Sequence, residues 1–382
     1  MSPSGPPAGG DASLARASRF SRVRDRMREA EVDALLLSLG ADLPWLTGYE
    51  AMPLERLTML VLPVDDEATL VVPALEAPRV EHDPRLFSLR PWAEHEDPTE
   101  VVAGLVGHRG QLAISERCWA AHLLQLERLL PGASWQSARA VVGPLRAVKD
   151  AQEIAALRAA GAAADTVAEA LFAGEIALIG RTEAEVSSEI SRRLIAAGHD
   201  RVNFAIVGSG PNSASPHHEP GGRVVGPGEV VVCDFGGSLR LDDSVGYCSD
   251  ITRTVVTGEA EAEFLELYEV LRLAQEAAVE AALVASPCEE VDRAGREPIE
   301  AAGYGAAFIH RIGHGIGIEE HEDPYIVAGN ATPIVAGHAF SVEPGIYLAG
   351  RFGARIEDIV VAGENGPLAC NRAEHALVVV EA

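Results

Sequence analysis

The spacing of apolar and polar positions predicts alternating helices and strands in the first 150 residues. Residues 17–31 place single apolar positions among charged ones, which is typical of an amphipathic helix. Residues 33–39, DALLLSL, form an apolar run of the length of a buried strand. Similar runs at 58–63 and 68–73 predict two strands joined by the polar turn 64–67. Helical patterns follow near 99–107 and 119–130, and extended ones at 111–116 and 133–141. These elements predict an α/β domain with its own core.

Helix-start signals mark the second part of the chain. Asp150 followed by Glu153 forms a capping-box pattern, which predicts an alanine-rich helix that runs to about residue 173. Two further helix starts are predicted, at Thr182 with Glu185 and at Ser286 and Pro287 with Glu289. Strand-like segments lie at 203–210, 229–237, 249–256, 338–344, 354–361 and 376–382. The glycines of HRIGHGIG, residues 310–317, argue against a helix there and would let the backbone approach its neighbours closely.

The length of 382 residues favours two domains over one. We expect the boundary near 140–149, with one domain at 16–145 and a second at 146–382. Residues 1–15 are rich in Pro, Gly and Ser, lack the basic stretch and apolar run of a signal peptide, and are predicted to be a flexible tail. The chain contains no run of about eighteen apolar residues, so the sequence predicts no transmembrane helix.

Charge and cysteine content narrow the range of partners. The net charge of −26 argues against nucleic acid and against anionic membranes, because both require a basic patch. The five cysteines are an odd number without close pairing, which is typical of reduced thiols in a cytoplasmic protein. We expect Cys233 and Cys248, which lie in strand-like segments near aspartates, to be small buried residues.

Five acid and imidazole residues, each in a distinctive short stretch, are the strongest chemical signal. They are Asp234 in VVCDFGG, Asp250 in GYCSDITRT, His314 in HRIGHGIG, Glu343 in FSVEPGIYL and Glu357 in GARIEDIVV. Four carboxylates cannot share a small site as bare groups, since like charges raise each other's pKa and repel. Two divalent cations between them would allow it, and the oxygen-rich set favours Mn²⁺, with Co²⁺ or Zn²⁺ as alternatives. Two such ions about 3.5–4 Å apart would activate a water molecule for hydrolysis.

In this order, the five stretches resemble those of the pita-bread metallopeptidases, family M24, which include methionine aminopeptidase, aminopeptidase P, prolidase and creatinase. The resemblance implies a catalytic domain at 146–382 with a curved antiparallel sheet flanked by helices. Residues 16–145 resemble the creatinase-like α/β domain that prolidase, aminopeptidase P and creatinase carry and that methionine aminopeptidase generally lacks. The implied fold class is therefore a two-domain α/β (α+β) protein, and the resemblance covers nearly the whole chain.

The resemblance also implies a role for each of the five residues. Asp234 would bind one metal ion through both carboxylate oxygens, and Asp250 and Glu357 would bridge the two ions. His314 and Glu343 would complete the binding of the second ion. Glu343 would in addition act as the general base toward the attacking water.

Other residues take roles from the same resemblance. His217 would donate a hydrogen bond to the substrate or intermediate, with His218 as flanking support. His321 would donate to the scissile carbonyl oxygen and stabilise the developing oxyanion. His310 would lie near the substrate or behind the metal ligands, and Arg355 would pair with bridging or substrate carboxylates.

The chain departs from typical members of the family in one spacing. Asp234 and Asp250 are sixteen positions apart, a few more than is usual. We interpret residues 238–246 as a longer hairpin tip that leaves both aspartates in place.

Together these features predict a cytoplasmic, dinuclear Xaa-Pro dipeptidase that acts on short proline-containing peptides. The alternative is aminopeptidase P, which acts on tripeptides and longer chains. A dipeptidase must bind the proline carboxylate with a cation, for which Arg311, Arg351 and Arg355 are candidates, whereas aminopeptidase P leaves that end open. The stretch HGIGIEEHE is more similar to prolidases. The resemblance also implies a homodimer, because the N-terminal domain often supplies pocket walls to the partner subunit.

Two remoter alternatives depend on missing metal ligands. Creatinase shares the fold but lacks the full ligand set. A catalytically inactive pita-bread module that binds proteins would also have lost ligands. All five ligand positions are filled in this chain, which disfavours both alternatives.

Overall fold

The computed structural model describes residues 9–241 and 245–381. Contacts between Cα atoms divide the chain into two compact units, the first formed by residues up to Arg146 and the second beginning at Ala147. Within the described ranges, no helix has both the length and the apolar character that are needed to cross a lipid bilayer.

The first unit is built around a mixed sheet. Its elements are α1 (Gly9–Glu29), β1 (Ala34–Leu37), α2 (Asp42–Thr47), β2 (Met59–Pro63), β3 (Thr69–Pro73), β4 (Ser88–Trp92), α3 (Pro98–Val106), β5 (Gln111–Ile114), α4 (Ala120–Leu129), β6 (Ser134–Ser137) and α5 (Arg139–Ala147). In the described residues the sheet has the order β4-β3-β2-β1-β5-β6. Strand β2 is antiparallel to β1 and β3, and the other pairs are parallel. Every residue of β1 is buried, as its unbroken apolar run predicts.

Two segments of this unit differ from the prediction. Helix α1 begins at Gly9, inside the segment predicted as a flexible tail, because DASLARAS consists mainly of residues that tolerate a helix. Residues 1–8 lie outside the described ranges. The stretch 133–141 is extended only to Ser137 and then enters α5. Ala138, Val141 and Val142 are buried and have helical spacing, which outweighs the β-branched character of the two valines.

The second unit carries three antiparallel groupings of strands with helices packed on them. Its elements are α6 (Ala151–Phe172), α7 (Glu183–Ala196), β7 (Arg201–Ser209), β8 (Val230–Leu239), β9 (Tyr247–Cys248), β10 (Ile251–Val256), α8 (Ala262–Ala281), α9 (Cys288–Ala301), β11 (Gly313–Gly315), β12 (Glu322–Ile326), β13 (Ala339–Val342), β14 (Gly345–Leu348), β15 (Phe352–Arg355), β16 (Asp358–Gly363), β17 (Gly366–Ala369) and β18 (Val378–Val379). The described strands form the sheets β18-β10-β8-β7, with β9 on β8, then β12-β11-β13-β16-β17, and the pair β14-β15. Only β18 runs parallel to its described neighbour, β10.

The helix starts follow the local sequence. Asp150 caps α6 by accepting from the amides of Gln152 and Glu153 at 2.9 Å, and Glu153 Oε2 accepts from the Asp150 amide at 2.8 Å. Thr182 and Glu185 form the same reciprocal box on α7, so both predicted capping boxes are confirmed. Helix α9 begins close to its predicted start, but without a side-chain cap.

Helix α8 is not among the elements predicted above. Phe264, Leu267, Tyr268 and Leu271 are buried and have the spacing of one helix face, so the sequence does contain the signal. With α9, this helix covers a core that includes Phe340 and Ile356. Ser341 of β13 and Arg355 at the end of β15 each lie between two residues of this core, so their side chains are expected on the opposite face.

All ten positions of β8 are buried. On one side, α6 and α7 supply apolar residues such as Val167 and Ile190 to a core with Cys233 and Phe235. Asp234 lies between these two residues, and its side chain therefore points to the opposite face of the strand. Because an isolated buried carboxylate is costly, this face must supply a hydrogen-bonded or charged partner. The predicted hairpin tip, 238–246, cannot be compared in full, since residues 242–244 lie outside the described ranges.

Candidate metal centre

Two carboxylates are held side by side across three neighbouring backbone segments. Asp234 of β8 lies opposite Thr252 of β10, and Thr252 pairs on its other side with Glu357, just before β16. The Thr252 hydroxyl donates to Glu357 Oε2 at 2.6 Å. The Glu357 amide donates to the Thr252 carbonyl at 3.2 Å. This cross-strand row brings Asp234 and Glu357 to one buried patch, although they are far apart in sequence.

Asp250 and His314 meet Glu357 at the same patch. One ligand atom of each of these three residues lies within 4.8 Å of the other two, and all three residues are buried. His314 Nε2 is 3.8 Å from Asp250 Oδ2. Its other ring nitrogen, Nδ1, lies 3.1 Å from the Gly315 carbonyl, and in a metal-bound form a proton on Nδ1 would be donated there while Nε2 binds the cation.

Glu343 adjoins the same imidazole from the segment between β13 and β14. Its Oε1 is 3.1 Å from His314 Nε2 and accepts from the Ser341 hydroxyl at 3.0 Å. That hydroxyl also accepts from the backbone amide of His314 at 3.0 Å. A side chain at Gly313 would collide with the Ser341 carbonyl oxygen, so only glycine allows β11 this approach.

Arg355 connects the remaining groups of the patch. Its Nη2 donates to Asp234 Oδ2, and its Nε donates to the Thr252 hydroxyl at 2.9 Å. Its Nη1 donates to the Tyr347 hydroxyl at 2.9 Å. Arg355 is 2% exposed, so its charge acts on these neighbours with little screening by solvent. The arginine therefore both neutralises and orients Asp234.

The protonation of the acids is strongly perturbed. Burial raises the pKa of Asp250 and Glu357 well above its ordinary range, and the neighbouring carboxylates raise it further. Burial also raises the pKa of Asp234, although Arg355 opposes the shift. Burial acts in the same direction on Glu343, but the hydrogen bond and charge of His314 outweigh it and lower that pKa to about 2.

Two carboxylate oxygens of the patch have no partner. Oδ1 of Asp234 and Oδ1 of Asp250 are buried and accept no hydrogen bond within the described residues. Buried acceptors are normally satisfied, and an acceptor oxygen without a donor is what a cation site requires. The donor set of one imidazole nitrogen and several carboxylate oxygens fits a divalent metal ion.

The predicted histidines lie at different depths around the patch. His310 Nε2 lies 2.9 Å from the Tyr347 hydroxyl, which joins it to Arg355. His321 is exposed, and its ring packs on that of His314 with centroids 3.9 Å apart. His217 is also exposed, and its side chain forms no hydrogen bond with a described residue. His218 is directed elsewhere, since its Nε2 lies 2.8 Å from the buried carboxylate of Glu183.

The strand that follows His321 is anchored by a buried ion pair. Lys149 is the only lysine of the chain, and its side chain is 1% exposed. Its ammonium group pairs with Glu322, which begins β12 and lies opposite Gly315 of β11. This pair fixes the hairpin that carries both His314 and His321.

A second buried ion pair supports Glu357 from behind. Arg253 donates to the Glu357 carbonyl at 2.7 Å and pairs with Asp358 at 2.7 Å. Asp358 also accepts from Gln275 at 3.0 Å and lies 2.6 Å from His375 Nε2. These contacts fix the backbone from which the Glu357 side chain projects.

Two cysteines near the patch are inert residues of the core. Cys233 and Cys248 are buried, and burial raises the pKa of both thiols, to about 12 for Cys233. Neither thiol is therefore a thiolate nucleophile or ligand at neutral pH.

Sequence reasoning did not assign Thr252, Ser341 and Tyr347, which hold the other groups in place. A signal was available, because each lies an even number of positions from a predicted ligand in an extended stretch. Thr252 follows Asp250 by two positions, Ser341 precedes Glu343 by two, and Tyr347 follows Glu343 by four.

Comparisons with known proteins agree with this geometry. Residues 155–364 match the family model described as metallopeptidase family M24, and residues 19–148 match the creatinase/prolidase N-terminal domain. The chain is 41% identical to a probable dipeptidase PepE of Mycobacterium tuberculosis over 95% of this chain and 96% of that protein. It is 35% identical to an Xaa-Pro dipeptidase of Lactobacillus helveticus over 91% of this chain and 95% of the other. A solved prolidase from Thermococcus sibiricus superposes with a TM-score of 0.89 at 34% identity, covering 95% and 99% of the two chains. A solved X-Pro aminopeptidase is less similar, at 28% identity.

Proposed function

Because the chain belongs to metallopeptidase family M24, we propose that it is an Xaa-Pro dipeptidase that hydrolyses the peptide bond before proline in short peptides. The observation that carries the proposal is the buried cluster of Asp250, His314 and Glu357, with the unpartnered oxygens of Asp234 and Asp250. The names of the relatives support the dipeptide substrate. The solved X-Pro aminopeptidase is less similar to the chain than the prolidase from Thermococcus sibiricus, at 28% against 34% identity.

The proposed cofactor is a pair of divalent ions, with Mn²⁺ favoured by the carboxylate excess. Asp234, Asp250, His314, Glu343 and Glu357 would hold them. When bound, the ions would supply a water of lowered pKa and polarise the scissile carbonyl. This set offers four carboxylates and one imidazole, and the charge of Arg355 is already matched to Asp234. The carboxylates that repel one another without metal would then be neutralised.

The side chains of this chain would handle the protons. Glu343 stays ionised at neutral pH, so it can accept a proton from the attacking water as the carbon–oxygen bond forms. His321, exposed beside His314, would donate a hydrogen bond to the carbonyl oxygen as negative charge develops there. The proton held by Glu343 would then pass to the proline nitrogen as the carbon–nitrogen bond breaks. His217 and His310 would position the substrate on either side of this centre.

The preference for proline follows from the chemistry of the imide bond. The nitrogen of an Xaa-Pro bond has no hydrogen, so a site that recognises peptides through backbone N–H groups cannot bind it. A shaped pocket next to the metal ligands must take its place.

We further propose a homodimer in the cytoplasm, with domain limits at 16–145 and 146–382. The match of residues 19–148 to the creatinase/prolidase N-terminal domain supports these limits.

The proposal is tested by hydrolysis of an Xaa-Pro dipeptide and an Xaa-Pro-Xaa tripeptide in the presence of Mn²⁺, scored by the free amino acid released. We expect the dipeptide to be cleaved in preference. Cleavage mainly of the tripeptide would assign aminopeptidase P activity instead. If neither peptide is cleaved, and an Asp250→Asn variant has the same metal content as the parent, the proposed function is wrong. The catalytically inactive protein-binding module would then be the favoured alternative.

A further inference from the structure

Three arginines, Arg311, Arg351 and Arg355, are the candidates for binding a substrate carboxylate, and the structure distinguishes them. Arg355 is buried and donates to Asp234, Thr252 and Tyr347. Arg351 is exposed and forms a two-pronged pair with Glu263 at 2.8 Å on both nitrogens. Both guanidinium groups therefore already have partners within the chain.

Arg311 differs from the other two. Among the described residues, the Arg311 side chain has no acidic partner and forms no hydrogen bond. It has a cation–π contact with Tyr325, in which the guanidinium carbon is 4.5 Å from the ring centroid. This is unexpected for a chain with 57 acidic and 31 basic residues. Because the guanidinium group of this half-buried arginine is paired with no carboxylate of the described chain, it is available to bind an external anion.

Arg311 is also connected to the proposed reaction centre through Tyr325. Tyr325, on which it stacks, is the cross-strand partner of the metal-ligand candidate His314. Directly opposed residues of an antiparallel pair have Cα atoms only about 4.5–5.5 Å apart. The charge of Arg311 also acts on His321, whose pKa it helps to lower. The side chain of Tyr325 thus links the guanidinium group of Arg311 to the strand pair that carries His314.

The distance suits the shortest substrate of the proposed reaction. In an Xaa-Pro dipeptide the free carboxylate belongs to the proline itself, so it lies within about 4 Å of the scissile bond. A cation that binds it must therefore lie beside the metal ligands. In a tripeptide an uncharged amide takes the place of this carboxylate.

Stacking prepares the guanidinium for this task. The central carbon of the guanidinium group lies over the ring of Tyr325, and this contact restrains the group without using any of its N–H donors. Those N–H groups match the two oxygens of a carboxylate in a bidentate pair. Lysine could not be restrained in the same way, because its ammonium group is not planar.

We propose that Arg311 binds the free C-terminal carboxylate of the substrate and so makes this chain selective for dipeptides. The proposal rests on the proposed function, since it assigns the specificity of the same site. Arg311 acts on substrate affinity and selectivity and takes no part in bond cleavage.

The test compares kcat/KM for three substrates: an Xaa-Pro dipeptide, its C-terminal amide and the matching Xaa-Pro-Gly tripeptide. For Arg311→Gln we expect a loss of about tenfold to a hundredfold on the dipeptide, mainly through KM, and little change on the amide. Arg311→Lys should recover only part of the loss. Arg351→Gln is the matched control, because it removes an equal charge from an arginine that Glu263 occupies, and it should leave all three values unchanged.

Failure of this proposal can be told apart from failure of the proposed function. If the parent protein cleaves none of the three substrates, the proposed function is wrong. If the parent cleaves the dipeptide and Arg311→Gln either keeps its rate or loses equally on dipeptide and amide, Arg311 does not bind the carboxylate. Metal content and melting temperature of each variant, measured in parallel, exclude a loss caused by misfolding.

Discussion

Single hydroxyl groups decide how the carboxylates of the metal centre are held. Thr252 accepts from Arg355 and donates to Glu357, so one oxygen joins the cation and a carboxylate. Ser341 joins Glu343 to the backbone of His314 in the same way. Such partners orient the ligands and make a preformed site possible, and their loss typically weakens metal binding.

Replacement of Thr252 by Val keeps the shape of the side chain and removes this hydroxyl. We expect metal affinity to fall about tenfold to a hundredfold, because Glu357 loses its donor and Arg355 loses an acceptor. The affinity is measured by competition with a chelator of known strength.

Thr254→Val is the matched control for this change. Thr254 lies two positions further along the same strand, and its hydroxyl bonds only backbone groups of Arg355. Its replacement should lower the free energy of unfolding by about 1 kcal/mol without changing metal affinity. An equal loss of affinity in both variants would show that the Thr252 hydroxyl has no specific role.

At the scale of elements, the site depends on how closely β11 approaches its neighbours. Gly313 faces the Ser341 carbonyl and Gly315 faces the backbone of Glu322 and Asp323, with no room for a side chain at either position. The close approach lets a three-residue strand present His314 to carboxylates that come from segments beside other strands.

A methyl group at Gly313 should therefore disturb both stability and the site. We expect Gly313→Ala to lower the free energy of unfolding by about 1–3 kcal/mol, because the Ser341 carbonyl must move. Metal affinity should fall with it, since Ser341 also binds the His314 amide. Urea unfolding and metal titration measure the two effects.

Gly222→Ala serves as the control from the same unit. A Cβ atom at Gly222 meets no heavy atom within 4 Å, so the change should be neutral or stabilising by up to about 1 kcal/mol. If Gly313→Ala were as stable as this control and bound metal equally well, the close approach of β11 would not be needed for the site.

Local signals explain which elements could be predicted and which could not. The capping boxes at Asp150 and Thr182 predict the starts of their helices, because the cap residue and the N3 residue are only three positions apart and are visible together in the sequence. The five ligand stretches could be recognised for the same reason. Arg253 could not be assigned, since its partner Asp358 is brought to it only by folding. The stacking of Arg311 on Tyr325 likewise depends on the register of β11 and β12.

For the whole molecule, the family and the two-domain α/β fold predicted from the sequence are confirmed by the matches along nearly the entire chain. The buried carboxylates of the site destabilise the folded state electrostatically when no metal is bound. Without metal, Asp234, Asp250 and Glu357 all have a raised pKa, first because they are buried. Removal of metal should therefore destabilise the protein to an extent that depends on pH.

The sign of this dependence follows from proton binding. A carboxyl group with a higher pKa in the folded than in the unfolded chain stabilises the fold fully only below its unfolded pKa of about 4, and this contribution is lost as pH rises through the folded pKa. Glu343 behaves oppositely, but its pKa of about 2 places its effect below pH 4.5. The metal-free protein should thus lose stability as the pH rises from the unfolded pKa of these carboxyls toward their raised pKa in the fold, while bound cations offset the repulsion and bind more tightly as their ligands deprotonate.

We therefore expect the melting temperature of Mn²⁺-loaded protein to exceed that of chelator-treated protein by more at pH 8 than at pH 5.5, as differential scanning calorimetry can measure. The difference between the two forms is the proper readout, because titration of distant groups such as His338 affects both equally and cancels. Asp250→Asn should show little metal-dependent shift at either pH, since it removes a central ligand. A shift of the same size at both pH values would mean that the buried carboxylates do not repel one another in the metal-free fold, and that the metal stabilises the protein without relieving their charge.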